Sequence, residues 1–247
     1  LPGRRGPDHR GRSGIGAAVA IAFAREGADV AIAYLPDEEE DAQAVAELIR
    51  AEGRTAALLP GDLLEASYRD GLVEAAVQEL GGLDILVNNA GMQFWSESIQ
   101  ELTDDQVDRS FALNVQAMFT LSRAALRVMP AGSTIINTTS CRPTSPRMCS
   151  RTTPRRRPRS RPSPSPWPSR RPRRIRVNAV APGPFWTPLQ VTDGQPDAKL
   201  DGFGQQSWLG RAGHPVEIAP AYVYLASAES SYVVGSVLDV NGGAPTP

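Results

Sequence analysis

The sequence predicts a single α/β domain: a doubly wound parallel sheet, Rossmann-like, with helices on both faces. Short apolar segments alternate with amphipathic ones along most of the 247 residues, the order that a parallel sheet with crossover helices requires. The segment Leu83–Val87 is almost wholly apolar, as in a strand buried on both faces. Polar or turn-forming residues follow several strands at their carboxyl ends, where such sheets bind ligands.

In the amino-terminal half, strands and helices alternate regularly. Apolar residues at helical spacing predict a helix over residues 14–28, and a short apolar run then predicts a strand. The acidic run Asp37–Glu40 suits the start of the next helix, because carboxylates are stabilised near a helix amino terminus. The predicted order is helix 14–28, strand Asp29–Leu35, helix Asp41–Glu52, strand Arg54–Asp62, helix Tyr68–Leu80 and the strand that begins at Leu83.

The carboxyl-terminal half continues the alternation with one interruption. Helical spacing persists over a long segment from Asp104, and apolar runs with β-branched residues predict the later strands. The predicted order is helix Asp104–Met129, strand Ser133–Ser140, strand Ile175–Ala181, a helix near Val216–Ser227 and strand Ser236–Val240. The loop Phe185–Leu209 has little periodicity and includes Trp186, Phe203 and Trp208, and we expect it to cover a substrate.

Composition narrows the class of protein. The length suits one domain with one large core over residues 1–247. A formal charge of −1 predicts no general attraction to nucleic acid or membrane. No run approaches the roughly eighteen apolar residues that span a bilayer, and no signal peptide is visible. Two Cys and two His argue against a disulfide framework or structural metal site, so a cytoplasmic protein is expected.

The strand from Leu83 ends in Asn88-Asn89-Ala90-Gly91, where small residues permit a ligand to approach the backbone closely. This LDILVNNAG segment resembles the short-chain dehydrogenase/reductase family of classical type, whose central strand ends in NNAG. Within that family the chain resembles the glucose-dehydrogenase-like and general-stress-protein oxidoreductases. The resemblance makes Asn88, Ala90 and Gly91 candidate cofactor-binding residues. A strand that ends in an asparagine turn is the alternative interpretation.

A second motif opens the first helix with Ser13-Gly14-Ile15-Gly16. Small residues there let a pyrophosphate reach the free N–H groups and positive dipole of the helix start. The family pattern is Thr-Gly-x-x-x-Gly-Ile-Gly, but His9 and Arg10 stand in its first two places. Alone, the half-motif fits a plain helix start equally well. By resemblance, the cofactor-binding candidates are Gly11, Ser13, Gly14, Ile15 and Gly16.

Further residues acquire roles from the same resemblance. Asp62 corresponds to the acidic residue that contacts the adenine, although it could instead cap the following helix. Asn114 corresponds to the catalytic Asn that holds a water in the proton relay, and a satisfied polar core residue is the alternative. Ser140 corresponds to the catalytic Ser that binds the substrate oxygen. The family's nicotinamide-lining and carboxyl-terminal segments match Pro182, Gly183, Thr187 and the turn Asn241-Gly242-Gly243.

The expected acid and base are missing from the sequence as written. The family has a Tyr about twelve residues after the catalytic Ser and a Lys four residues later, one turn apart on a helix face. Here Thr152 and Arg156 stand in those places. Between Cys141 and Arg174 there are 12 Arg and 9 Pro in 34 residues. Each Pro inside a helix costs about 3 kcal/mol, so a stretch such as Arg151–Pro168 cannot form one.

Two interpretations of the Arg/Pro-rich segment stay open. It could be a disordered basic insert that binds nucleic acid or a proline-reading domain. It could also be a real gene read in the wrong frame, because it replaces about as many residues as the family has there. A shift back by one base after Ser140 permits Gln-Ala-Tyr-Gln-Pro-Ser-His-Val-Leu-Ala-Tyr-Asp-Ala-Thr-Lys from position 142. That text places a Tyr at position 152 and a Lys at position 156.

The amino terminus permits a similar re-reading with the opposite shift. The residues Gly6–Arg12 can be re-read as Ala-Leu-Ile-Thr-Gly-Gly-Asp. This restores an apolar first strand and the Thr-Gly start of the phosphate loop. As written, Pro7 lacks the N–H that a central strand needs.

The resemblance covers roughly Gly11–Ser140 and Ile175–Gly243 and implies an NAD(P)-dependent oxidoreductase that interconverts an alcohol and a carbonyl in a small-molecule substrate. Tyr34-Leu35-Pro36 after the second strand contains neither an Asp for the ribose nor an Arg for a phosphate, and the resemblance favours NADP over NAD. A homo-tetramer or homo-dimer is also implied. The rivals are a catalytically silent dinucleotide-binding protein with a basic interaction segment and a chain that, as written, does not fold.

Overall fold

The computed structural model describes residues 14–94, 96, 98–140, 174–192 and 202–243. Its helices are α1 (Ile15–Arg25), α2 (Glu39–Ala51), α3 (Ala66–Leu80), α4 (Asp104–Phe111), α5 (Met118–Val128), α6 (Pro188–Thr192) and α7 (Pro215–Ala226). A π-helical segment, Ala112–Ala117, joins α4 to α5. The strands are β1 (Val30–Tyr34), β2 (Ala56–Pro60), β3 (Ile85–Asn88), β4 (Thr134–Thr138), β5 (Arg176–Pro182) and β6 (Val237–Val240).

All strand pairs that the structure describes are parallel, as the alternation of elements predicts. β1 pairs with β2, and β3, β4, β5 and β6 form a four-stranded sheet in that order. In the register of β3 with β4, Asn88 lies opposite Asn137, and in that of β4 with β5, Thr138 lies opposite Val180. No described strand pairs with the other edge of β1 or of β3. The doubly wound α/β class is confirmed.

Helices cover both faces of the four-stranded sheet. Ile136 of β4 packs in a cluster with residues of α1 and α7, whereas the preceding Ile135 packs with Ala125 of α5. Neighbouring strand residues point to opposite faces, so this alternation places α1 and α7 on one face and α5 on the other. α2 packs beside α1 over β1, and α3 packs beside α5.

The structure refines two predicted elements. The predicted helix Asp104–Met129 is helical almost throughout, but its middle turn is π-helical rather than α-helical. The strand at Leu83–Val87 was expected to be buried on both faces, yet Ile85, Leu86 and Val87 are only half-buried. The cause is position, because β3 is an edge strand among the elements that the structure describes.

Two features are absent from the described residues. None of their helices has the length and apolar character needed to cross a bilayer. They also contain no group of three or more His, Cys, Asp or Glu side chains arranged to hold a metal ion.

Candidate active site

The candidate residues follow the carboxyl ends of parallel strands. β3, β4 and β5 are parallel in the four-stranded sheet and end at Asn88, Thr138 and Pro182, and β2 of the two-stranded sheet ends at Pro60. Asp62, Asn88, Ser140 and Pro182 therefore stand at or just beyond the carboxyl ends of their strands. Open α/β sheets bind ligands just outside these ends.

The first turn of α1 is suited to an anion. Gly14 is the N-cap residue and has extended backbone angles and no side-chain cap. The first helical bond runs from the N–H of Ala18 to the carbonyl of Gly14 at 3.1 Å, so the N–H groups of Ile15, Gly16 and Ala17 precede the intrahelical ladder. A methyl group at Gly14 would meet nothing within 4 Å. The sequence candidates Gly11 and Ser13 lie outside the described residues.

Gly16 brings the helix start against the strand ends. A Cβ at Gly16 would lie 3.1 Å from Nδ2 of Asn89, so only glycine permits the present distance without displacing that amide. A Cβ at Gly91 would similarly lie 3.3 Å from Oδ1 of Asn114. Both glycines therefore permit close packing of the backbone against a polar side chain of the site.

Asn88 and Asn89 use their side chains differently. Nδ2 of Asn88 donates to Oγ of Ser122 at 3.1 Å and to Oδ1 of Asn137 at 2.8 Å, which ties β3 to α5 and β4. Oδ1 of Asn89 accepts from Oγ1 of Thr138 at 3.1 Å. The motif predicts a cofactor-binding role for Asn88, but it gives no indication of the role of the Asn89 side chain. Since neighbouring strand residues face opposite sides, only one of two adjacent Asn side chains can point towards α1.

Asp62 lies in a tight turn between β2 and α3. Its Oδ1 accepts from the N–H of Leu64 at 2.8 Å, and its carbonyl accepts from the N–H of Glu65 at 3.0 Å. The N-cap of α3 is Glu65, so the alternative role of Asp62 as that helix's cap is wrong. The buried guanidinium of Arg69 donates to the carbonyls of Leu63 and Leu64 at 2.5 and 2.8 Å and holds this turn in place.

Asn114 lies in the π-helical segment, and its amide binds the loop after NNAG. Oδ1 accepts from the N–H of Met92, and Nδ2 donates to the carbonyl of Met92, both at 2.8 Å. π-Helical turns occur frequently at functional sites because they displace one residue from the regular ladder. The alternative of a satisfied polar residue describes the two bonds of the amide correctly, but those bonds also fix the loop beside Gly91.

Ser140 follows β4 by two residues and is half-buried. The N–H of the preceding Thr139 donates to the carbonyl of Val180 at 2.8 Å, which continues the β4–β5 pairing towards Ser140. Thr152 and Arg156, the positions expected to hold the acid/base and its partner, lie outside the described residues. The structure therefore gives the position of Ser140 but not that of Thr152 or Arg156.

The segment after β5 packs against the end of β6. The N–H of Gly183 donates to the carbonyl of Val240 at 2.8 Å, and a Cβ at Gly183 would lie 2.5 Å from Cα of Asn241. Any side chain there would push the two segments apart, so glycine is required. Pro182 and Thr187, the other candidates of this segment, are half-buried beside it.

The expected substrate loop contains a short helix, α6, and contacts the segment that follows NNAG. The rings of Trp186 and Phe203 lie 5.1 Å apart and connect the start of the loop to its end. Nε2 of Gln93, just after the NNAG segment, donates to the carbonyl of Leu189 at 3.3 Å. Trp208 is 86% exposed and does not share in these contacts.

The end of β1 carries an internally paired acidic turn. The hydroxyl of Tyr34 donates to the carboxylate of Glu39, and this bond raises the pKa of Tyr34 to about 12 and lowers that of Glu39. Oε2 of Glu38 accepts from the N–H of Leu35 at 3.4 Å. Both carboxylates are therefore engaged within their own turn.

Comparison with known families gives two matches that together include most of the chain. The family model described as short chain dehydrogenase matches residues 11–150. The model described as enoyl-(acyl carrier protein) reductase matches residues 169–245.

Individual proteins agree with these matches. General stress protein 39 of Bacillus subtilis is 45% identical over 235 residues, covering 94% of this chain and 81% of its own. The chloroplastic NADPH-dependent aldehyde reductase 1 of Arabidopsis thaliana is 37% identical over 241 residues, covering 95% of this chain and 83% of its own. The crystal structure of a short-chain dehydrogenase from Burkholderia cenocepacia in complex with NADP has a TM-score of 0.79 and 30% identity, covering 95% of this chain and 94% of its own.

Proposed function

The chain belongs to the short-chain dehydrogenase family and is an oxidoreductase of that family, and we propose that it binds NADP(H) and interconverts an alcohol and a carbonyl compound. The observation that carries this proposal is the meeting of three groups at one sheet edge. They are the uncapped start of α1 with Gly16, the amide of Asn114 beside Gly91, and Ser140 at the end of β4. The silent-protein alternative is not favoured, because the relatives are named as oxidoreductases and reductases.

The residues present fit a dinucleotide. The first turn of α1 would bind the pyrophosphate, since free N–H groups and the helix dipole favour an anion there. The Asp62 turn would bind the adenine, and Pro182, Gly183 and Thr187 would line the nicotinamide. NADP is proposed over NAD because a relative of solved structure binds NADP and a curated relative is named as NADPH-dependent.

The chain's own residues would orient the substrate and move the proton. The bound nicotinamide supplies or accepts the hydride. Ser140 would donate a hydrogen bond to the substrate oxygen and hold the reacting carbon in place. Asn114 would connect the proton relay to water. Its amide already holds Met92, so the relay would use the remaining N–H of Nδ2 and the backbone of the π-helical turn.

The acid/base group of this mechanism is present only in the re-read amino-acid sequence. We propose that the natural protein has a Tyr at position 152 and a Lys at position 156, where Thr152 and Arg156 are written. The Tyr would pass the proton, and the Lys would lower its pKa. In support, the two family models leave residues 151–168 unmatched while matching both sides. The relatives also align over about the full length of this chain, so the segment replaces family sequence rather than adding to it.

Assembly and location are further proposals. Phe111 and Phe119, on α4 and α5, are 55% and 62% exposed, and such apolar side chains on adjacent helices favour a contact between subunits. They support the dimer or tetramer that the family resemblance implies. The composition and the family support a cytoplasmic location and a small-molecule alcohol or carbonyl substrate.

The proposed function is tested by Ser140→Ala in protein expressed from the natural gene. We expect kcat for NADPH-dependent reduction of small aldehydes to fall about 100- to 1000-fold, the usual loss for one donor to a reacting oxygen. NADPH affinity should not change, because Ser140 is assigned to the substrate. Ser67→Ala, on the exposed side of α3, is the control. An unchanged kcat in Ser140→Ala would contradict the assignment.

A further inference from the structure

A chain of polar side chains crosses the core from α7 to the cofactor edge. Oη of Tyr222 and Oγ1 of Thr138 are 2.8 Å apart, and Oγ1 of Thr138 lies 3.1 Å from Oδ1 of Asn89. Tyr222 is 0% exposed, and burial raises its pKa to about 12. Its hydroxyl therefore keeps its proton at all working pH values. Three elements, α7, β4 and the end of β3, contribute one side chain each.

The direction of these hydrogen bonds follows from their chemistry. Oδ1 of Asn89 can only accept, so Thr138 must donate to it. The hydroxyl of Thr138 has one proton, so its oxygen must then accept from Tyr222. The opposite direction would leave the buried Tyr222 proton without an acceptor, because the described residues provide no other partner for it. An unpaired buried donor is costly, so the chain runs from Tyr222 to Thr138 to Asn89.

In this arrangement the Asn89 amide presents its two ends to different neighbours. Since Oδ1 is turned to Thr138, the NH₂ group is turned to the start of α1, where a Cβ at Gly16 would lie 3.1 Å from Nδ2. The NH₂ group thus stands beside Gly16 in the first turn of α1, where the backbone N–H groups precede the intrahelical ladder. The neighbouring Asn88 has no such role, because its NH₂ is bonded to Ser122 and Asn137.

We propose that Tyr222 and Thr138 are positioning residues of the cofactor site, which orient Asn89 so that its NH₂ donates to the pyrophosphate of the bound dinucleotide. The proposal rests on the proposed dinucleotide-binding function and adds two residues that do not touch the ligand. Without the hydroxyl of Thr138 the amide can rotate by half a turn. Its carbonyl oxygen would then face the anion and repel it.

The first test titrates two variants of Thr138 with NADPH and measures binding by fluorescence. Thr138→Val keeps the shape of the side chain but removes the hydroxyl, and we expect the Kd for NADPH to rise about tenfold, as for one lost charge-assisted hydrogen bond. Thr138→Ser keeps the hydroxyl and should bind within about twofold of wild type. Thr134→Val is the control, because Thr134 is buried in the same strand and its hydroxyl contacts α7 at the carbonyl of Leu225, 3.5 Å away.

A double variant separates positioning from stability. Thr138→Val alone leaves the Tyr222 hydroxyl buried and unpaired, so it should also lower the free energy of unfolding. Adding Tyr222→Phe removes that unpaired donor and should restore much of the stability, but NADPH affinity should stay low. Recovery of both quantities in the double variant, or wild-type affinity in Thr138→Val, would overturn the proposal. A wild-type protein that does not bind NADPH would overturn the proposed function itself.

Discussion

The central strands β4 and β5 are packed very differently from β1 and from the edge strand β3. In β4, Ile135 and Ile136 are 1% and 0% exposed, and Val180 of β5 is 0% exposed. The equivalent apolar residues of β1 and β3 are half-buried, although Val30 and Ile85 both adjoin the cluster around α1 and α7. β4 and β5 have strand neighbours on both sides, whereas no described strand pairs with one edge of β1 or β3.

The difference shows that burial in this sheet depends on strand neighbours more than on side-chain type. Ile85 and Ile136 are the same residue in adjacent strands, and helices cover both faces of the sheet. An unpaired strand edge exposes both its backbone groups and the flanks of its side chains. The re-read text Ala-Leu-Ile-Thr for residues 6–9 would supply an apolar strand suited to such an edge. The free energy of unfolding of variants in these strands therefore bears on the frame proposal.

The largest expected effect comes from removing the same side chain at the two positions. Ile136→Ala should lower the free energy of unfolding by about 2–5 kcal/mol, because it leaves a cavity among fully buried neighbours. Ile85→Ala in the chain as written should cost about half as much, because water already reaches that side chain. Urea denaturation of both variants measures the difference. Equal losses in the chain as written would contradict the contrast between centre and edge.

Two arginines provide a similar comparison between the well-packed β5 and the less buried β1–β2 pair. Arg176 is buried at the start of β5 and donates to the carbonyls of Leu225, Ala226 and Ser227 and to Oγ of Ser230, at 2.7 to 3.3 Å. It satisfies the carboxyl end of α7, where helix carbonyls lack partners. Arg176→Met should therefore lower the free energy of unfolding by about 2–4 kcal/mol.

Arg54→Met is the matched control on the β1–β2 side. Arg54 pairs with Asp29 at 2.7 Å, but both side chains are about one-third exposed. Exposed ion pairs contribute little because water screens them, so this variant should change stability far less than Arg176→Met. If the two variants destabilised the protein equally in urea, burial would not be the deciding factor.

The smallest effect is expected at the surface of the well-packed half. Two hydrogen bonds from Arg211, at 2.7 and 2.8 Å, hold the pKa of Glu217 at about 2, below its usual 4.5. A lowered folded-state pKa stabilises the protein above the usual value and ceases to do so as the pH falls through about 2. The urea midpoint of Glu217→Gln should therefore approach that of wild type between pH 4.5 and 2. A constant difference across this range would contradict the pairing.

Much of the fold and part of the site could be predicted from the sequence. The alternation of elements and the NNAG motif identify the parallel sheet and its ligand edge, because both signals are local. The half-burial of Ile85 could not be predicted, since it depends on which strands lie beside β3. Thr138 and Tyr222 gave no local signal either. They are 84 residues apart, and only the packing of α7 on β4 shows that their hydroxyls meet.

The π-helical turn also could not be predicted from the sequence. Asn114 is an unusual residue in a long predicted helix, but nothing in the neighbouring residues indicates that the hydrogen bonds there are π-helical. The two bonds to Met92 provide the physical reason for its position. The Asp62 turn is a similar case, because the stabilising Arg69 lies seven residues further along, inside α3, and its target carbonyls cannot be inferred from spacing alone.

The most direct test of the central claim is tryptic peptide mapping by mass spectrometry of the protein from its native source. Trypsin cleaves after Arg127, and the re-read text predicts one peptide from Val128 to a Lys at position 156 that contains Tyr-Asp-Ala-Thr-Lys. That result would establish the acid/base pair of the proposed mechanism. The sequence as written instead predicts cleavage at Arg147 and a short peptide Met148–Arg151. Finding that peptide would contradict the frame proposal and, with it, the proposed proton transfer.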